Sequence, residues 1–388
     1  MLRHQVNVEL GERRYPIHIG HDLHDDLQVL GVGDSKRPAV LVTNRTIEPL
    51  HGQRWRDALA RSATVSAPRP LAVVLPGTMG SHLSVAGDHV WLNYGALLLG
   101  GLKKLRRDAN GVTPTELIDQ FYGPLLEFLA RSHRVEYVAY DWRLSIREAA
   151  GRLADTLERC LPQAERDNQP VHLVAHSMGG LVVRCMIADG ARGASLWQRI
   201  TRLPGSRFLM LGTPTFGSYE AMRWLTGFNP TEAKLSLLDF TQSTDDIVNL
   251  VRRYPGLLEL LPFGTQDPDF STVAPWQSIK DKTLAAWDVP QSDDLRIAAA
   301  TWQCLRNAAP DPRFMRYVAG SQAATVTDYQ LLADDDLTNP RQHLDFIATR
   351  RGDGTVTWAS GTLPGVPMWF VDDTPHDALC SATQAFPA

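Results

Sequence analysis

Residues 171–190, VHLVAHSMGGLVVRCMIADG, constrain the fold of this 388-residue chain more than any other stretch. The first half is a short apolar run with the length of a buried strand, and the second is spaced like a helix. Between them stand Ala175, His176, Ser177, Met178 and Gly179, a small-x-Ser-x-Gly pattern with Ala at the first small position. A strand can pass into a helix so abruptly only if the neighbours two before and two after the apex lack bulk, and the apex residue then takes a strained backbone. Gly180 adds further clearance. Such a turn lifts a hydroxyl to the rim of a sheet and aims the first N–H groups of the helix at the space beside it. On this reading Ser177 is a nucleophile, and the N–H of Met178 is one donor to an oxyanion.

Around this elbow the chain alternates. Residues 71–77 (LAVVLPG), 135–142 (VEYVAYDW) and 206–214 (SRFLMLGTP) read as further buried strands, as does 295–301 (LRIAAAT). Helical patterns such as PTELIDQFYGPLLEFLARS and REAAGRLADTLERCL lie between them. Strands alternating with helices predict right-handed βαβ units, hence an α/β fold whose mostly parallel central sheet carries helices on both faces. In such sheets functional groups collect at the carboxyl ends of the strands. Over 217–262 the alternation stops, and WLTGF, LSLLDF and LLELLPF are too apolar for an ordinary loop, so an inserted lid is expected there. Residues 1–62 open strand, strand, helix, strand, helix, a short α/β appendage, and the Ser/Ala/Pro-rich 63–70 reads as a linker to the main domain, 71–388.

Composition removes several classes. Apolar residues at 44% and charged residues at 21% fit a globular chain rather than a disordered or fibrous one. A net charge of −4 gives no field that would gather nucleic acid. Cys160, Cys185, Cys304 and Cys380 have no CxxC spacing and read as buried apolar residues. The amino-terminal residues carry charges where a signal peptide needs an apolar run, and no window approaches the roughly 18 apolar residues of a membrane span. A cytoplasmic location is the expectation.

A serine nucleophile needs a base to take its proton and an acid to orient that base. Two histidines follow Ser177, His343 and His376. His376 lies in TPHDAL after the strand-like PMWFVDD, where a last strand would deliver a base, whereas His343 precedes the best acid and would reverse the Ser, Asp, His order. That acid is Asp353 in RGDGTV, a turn whose glycines would expose one carboxylate; Asp345, Asp372, Asp373 and Asp377 compete with it. A second oxyanion donor is expected from LPGTMGSHL, the loop after the strand at 71–75, at the N–H of Met79. Tyr140, Asp141, Trp142 and Arg143 read as packing and an ion pair at a strand end.

Taken together, LPGTMGS, YDWR, AHSMGG, LGTPTFGS, YPGLLELLP, RGDGTV and PHDAL, in that order over about residues 69–384, resemble the lecithin:cholesterol acyltransferase-like α/β-hydrolases. The resemblance implies an α/β-hydrolase fold, Ser177 as nucleophile, Asp353 as acid, His376 as base and Met79 as oxyanion donor. It also implies an ester substrate, often a phospholipid, whose acyl group passes through the serine to water or an alcohol. A lipid or other hydrophobic acyl ester is thus the expected partner, with transient contact between the lid and a lipid surface, and no metal or organic cofactor is needed. Residues 5–62 resemble the amino-terminal end of 3-dehydroquinate synthase, which would set Asn44 near an NAD; the glycine-rich cofactor loop and the Glu and two His of that family's metal site have no counterpart. An NAD-dependent lyase of that type and a non-catalytic lipid-binding hydrolase fold are the competing readings.

Overall fold

The computed structural model describes residues 2–10, 13–20, 68–91, 101–229, 243–264, 268–333 and 339–382. The chain divides into two compact units, Met1–Arg69 and Pro70–Ala388. In the first, β1 (Leu2–Leu10) and β2 (Arg13–Gly20) pair antiparallel. The helix, strand and helix expected over 21–62, and Asn44 with them, lie outside the described residues.

The second unit runs β3 (Leu71–Leu75), β4 (Ser81–Val85), β5 (Asp88–Trp91), β6 (Val112–Leu117), α1 (Asp119–Ala130), β7 (Arg134–Tyr137), α2 (Ile146–Arg166), β8 (Val171–His176), α3 (Met178–Ala188), α4 (Gly190–Arg202) and β9 (Arg207–Leu211). It continues with α5 (Tyr219–Thr226), α6 (Thr244–Val251), α7 (Pro255–Leu258), α8 (Val273–Thr283), α9 (Ser292–Asn307), β10 (Met315–Gly320), β11 (Thr325–Leu331), β12 (Leu344–Thr349) and β13 (Met368–Val371). Six strands form one parallel sheet in the order β13-β10-β9-β8-β3-β7.

Alternation along each strand divides the apolar residues between two cores. Leu71, Val73, Leu75, Leu173 and Ala175 face one side with residues of α2, α3, α4 and α9, while Ala72, Val74 and Val174 face the other with Tyr122, Leu125 and Leu129 of α1. Both faces are covered, which a parallel sheet requires. Two strand expectations need correcting. Residues 295–301 lie inside α9, a helix, and the strand beside β9 is β10 instead. The strand at 135–142 ends at Tyr137, and 138–142 continue as loop.

The insert at 217–262 contributes α5, α6 and α7; LSLLDF within it lies outside the described residues. The buried carboxyl of Glu259 anchors its end: it accepts from Ser145 Oγ at 2.6 Å, from the Ile146 N–H at 2.6 Å and from Thr301 Oγ1 at 2.8 Å, joining α7 to α2 and α9. Burial pushes this carboxyl up to about 7 against the pull of those three donors. Among the described residues no helix is long and apolar enough to cross a membrane.

Candidate active site

From β3 the chain steps outward to edge strand β7, then returns past β3 to β8 and proceeds the other way, so the winding reverses between β3 and β8. Loops leaving two such strands part, opening a crevice at their carboxyl ends. Gly77, after β3, and Ser177, after β8, face each other there: a Cβ on Gly77 would stand 2.8 Å from Ser177 Cβ. Ser177 sits at φ 51 and ψ −125, a region that L-residues avoid and that neighbours must enforce. Its N–H donates to the Leu211 carbonyl at 2.8 Å, and its own carbonyl accepts from the Gly180 N–H at 3.0 Å. The glycines permit the close approach, since a Cβ on Gly179 would lie 2.6 Å from the Pro76 oxygen and one on Gly180 would collide with Thr213.

The loop after β13 brings His376 to this serine, with Nε2 2.8 Å from Ser177 Oγ. On the far side of the ring, His376 Nδ1 stands 2.8 Å from Asp353 Oδ2. The other Asp353 oxygen accepts from the N–H groups of Thr355 at 3.0 Å and Val356 at 2.7 Å. Burial opposes ionisation of Asp353, but the His376 charge and hydrogen bond, with the two backbone donors, outweigh it and hold the carboxyl below its ordinary range. Reciprocally, burial lowers His376 while Asp353 raises it, and Asp353 prevails. An ionised acceptor at Nδ1 makes that nitrogen the donor, which leaves the Nε2 lone pair facing the hydroxyl.

Asp353 is not exposed, as its flanking glycines suggested; it is 2% exposed. Gly352 packs against Thr325, Gly354 turns at φ 94, and the turn carries the carboxylate inward. The other candidates stand elsewhere: His343 Nδ1 meets the Leu332 carbonyl, Asp345 accepts from Gln330, and Asp372 and Asp373 are exposed. Asp377 lines the same cavity as Ser177.

Two residues that the sequence did not single out complete the arrangement. Tyr122 Oη accepts from the Gly77 N–H at 2.8 Å and lies 3.0 Å from His176 Nδ1, and His176 Nε2 lies 2.9 Å from the His376 carbonyl. A carbonyl only accepts, so Nε2 carries the hydrogen, Nδ1 accepts, and the tyrosine O–H donates. Burial and the neighbouring His376 push His176 down to about 3, so it stays neutral. The His376 N–H donates to the Asp353 carbonyl at 2.9 Å. The backbone of His376 is therefore held on both sides.

Ser177 and His376 open on a cavity of about 460 Å³ whose walls include Trp91, Phe121, Trp224, Leu257 and Leu260. Met79 also lines it, at φ 61, with its carbonyl accepting from Trp91 Nε1 at 2.9 Å. Met178 is buried in the first turn of α3, its sulfur 3.4 Å from Thr78 Oγ1. Behind this loop Tyr140 Oη donates to the Pro76 carbonyl at 2.6 Å, and Arg143 pairs with Asp141 at 2.6 Å, both buried. A larger hollow of about 680 Å³ lies along β11 and β12, lined by Arg223, Phe228 and Phe346 among others, away from the serine. Among the described residues no group of three His, Cys, Asp or Glu side chains could hold a metal ion.

Comparison with known proteins bears on this geometry. Residues 128–258, from the end of α1 to α7, match the family model for lecithin:cholesterol acyltransferase, a span that contains Ser177 and ends before Asp353 and His376. A chain of the Tle4-Tli4 complex superposes with a TM-score of 0.51 at 16% identity, covering 82% of this chain and 97% of that one. The mature lipase BlEst2 of Bacillus licheniformis gives a TM-score of 0.37 at 14% identity over 83% and 91% of the two chains. Over 72 residues the chain is 39% identical to 3-dehydroquinate synthase of Shewanella sp. (strain MR-4), 19% of each protein, and 36% identical to that of Shewanella frigidimarina. The chain thus spans about a fifth of the length of these curated relatives.

Proposed function

We propose that residues 70–388, which carry an α/β-hydrolase fold, form a serine-dependent ester hydrolase or O-acyltransferase acting on a lipid or other hydrophobic acyl ester. One observation carries the reading: the hydrogen-bonded series Ser177, His376, Asp353, at 2.8 Å for each link, opens on an apolar cavity of about 460 Å³. His376 takes the Ser177 proton as Oγ attacks the ester carbonyl, and ionised Asp353 stabilises the imidazolium that forms. The N–H groups of Met79 and Met178 receive the oxyanion, each such donor being worth about 3 kcal/mol of barrier. Collapse of the tetrahedral intermediate expels the alcohol, which takes its proton from His376. Water or a second alcohol, deprotonated in turn by His376, then releases the acyl group. The family match over residues 128–258 supports the same chemistry.

A fluorophosphonate probe should label the protein covalently at Ser177, and p-nitrophenyl esters should be cleaved faster as the acyl chain lengthens from acetate towards decanoate. Failure to label would overturn the serine mechanism, and a preference for acetate would overturn the hydrophobic substrate. The pH profile carries its own sign. Only neutral His376 accepts the proton, and Asp353 holds its pKa above the ordinary imidazole value of about 6.5. The kcat/KM should therefore fall as pH drops, with its acid limb centred above 6.5. A centre below that value would contradict the assigned environment.

A further inference from the structure

By their spacing all four cysteines read as buried apolar residues, and the structure sets two of them apart. Cys185 on α3 and Cys304 on α9, 119 positions distant in the chain, bring their sulfurs to 3.6 Å. We propose that Cys185 and Cys304 close into a disulfide when the protein meets a small disulfide oxidant of the glutathione type. This goes beyond the esterase reading and does not rest on it.

The two thiols are unlike in ways that order the steps. Cys185 is wholly buried, whereas Cys304 is half-buried and within reach of an oxidant from solvent. The hydrogen bond between the two thiols favours a thiolate at Cys304, against burial and the nearby carboxylate of Asp189, and the guanidiniums of Arg147 and Arg184 add to it. Arg147 is itself fixed by Asp189, at 2.8 and 3.0 Å. The Cys304 thiolate attacks one sulfur of the oxidant, a mixed disulfide forms, and one thiolate leaves. Cys185 then loses its proton to the departing thiolate. Its sulfur attacks that of Cys304 and expels the second thiolate, so two protein thiols are oxidised and one disulfide is reduced to two thiols. The two helices already pack together, and closure brings the sulfurs from 3.6 Å to a bond of about 2.05 Å.

The covalent loop would enclose the whole insert at 217–262 together with α8. A loop that long restricts the unfolded chain strongly, and stabilisation arises there more than from new contacts. The test uses the full chain, treated with oxidised glutathione and compared with the reduced protein, then unfolded and alkylated. The expected result is an intact mass lower by two hydrogens, two alkylated cysteines (Cys160 and Cys380), and an unfolding midpoint raised by on the order of 5 °C. Cys304→Ser should lose both the mass change and the shift. Cys185→Ser should instead stop at a glutathione adduct on Cys304. Four alkylatable thiols after oxidation, or a stable adduct on the parent protein, would overturn the proposal, and neither readout depends on esterase activity.

Discussion

Ser177→Ala is expected to lower kcat for p-nitrophenyl ester hydrolysis by roughly 10⁴- to 10⁶-fold, with KM changed little. The substitution removes one oxygen from a buried apex and asks nothing new of the backbone. Ala adopts the strained φ of 51 as well as Ser does, and the backbone hydrogen bonds to Leu211 and Gly180 do not involve the side chain. Binding in the apolar cavity persists, and so do the oxyanion donors. The loss is that of covalent catalysis alone, which leaves a residual rate above that in water. Stopped-flow or steady-state assays on the purified variant read this directly. A variant retaining a tenth of the parent rate would sink the assignment, as would equal labelling by the fluorophosphonate.

Asp353→Asn carries the second largest effect, about 10⁴-fold in kcat, and the surroundings of Asp353 dictate why. Thr355 and Val356 both donate to Oδ1, so an amide there must keep its oxygen at that site and turn its NH₂ towards His376. Two donors cannot share one hydrogen bond, and His376 Nδ1 then becomes an acceptor. The hydrogen moves to Nε2, facing Ser177 Oγ, and no lone pair is left to receive the serine proton. The fold is kept, because both backbone bonds survive. Asp345→Asn is the control: Asp345 accepts from Gln330 on the β11–β12 hairpin, and its change should leave kcat as it is. Comparable losses in both variants would refute the argument, and the Ser177→Ala, Asp353→Asn double variant should be no slower than Ser177→Ala alone, since the residues act as one unit.

The sequence exposed those parts of the molecule whose physics is local. The elbow could be read because the sharp turn at Ser177 demands small residues at fixed offsets, and the order Ser, Asp, His narrowed two histidines to His376. Residues 295–301 misled because LRIAAAT is a short apolar run, which fits a buried strand or a buried helix equally. Asp293 and Asp294 ahead of it, and Trp302 and Leu305 continuing the spacing of Leu295 and Ala298, were the helical signal. Burial of Asp353 escaped because its cause, the packing of Gly352 on Thr325, spans a long stretch of chain. Tyr122 gave no sign at all: in a helical pattern it reads as one more core aromatic, and only the meeting of α1 with the loop after β3 and the end of β8 makes its hydroxyl a junction. Cys185 and Cys304 were hidden in the same way, by 119 positions of sequence.

The rings of His176 and His376 stand 4.9 Å apart between centroids, and either imidazole taken alone has the chemistry of a base. The tyrosine on one nitrogen of His176 and the carbonyl on the other leave that ring no spare lone pair and no reason to ionise. On the proposed mechanism each turnover would draw on one mobile proton, shuttled by His376, while the second ring works as a rigid strut between the loop after β3 and the loop after β13.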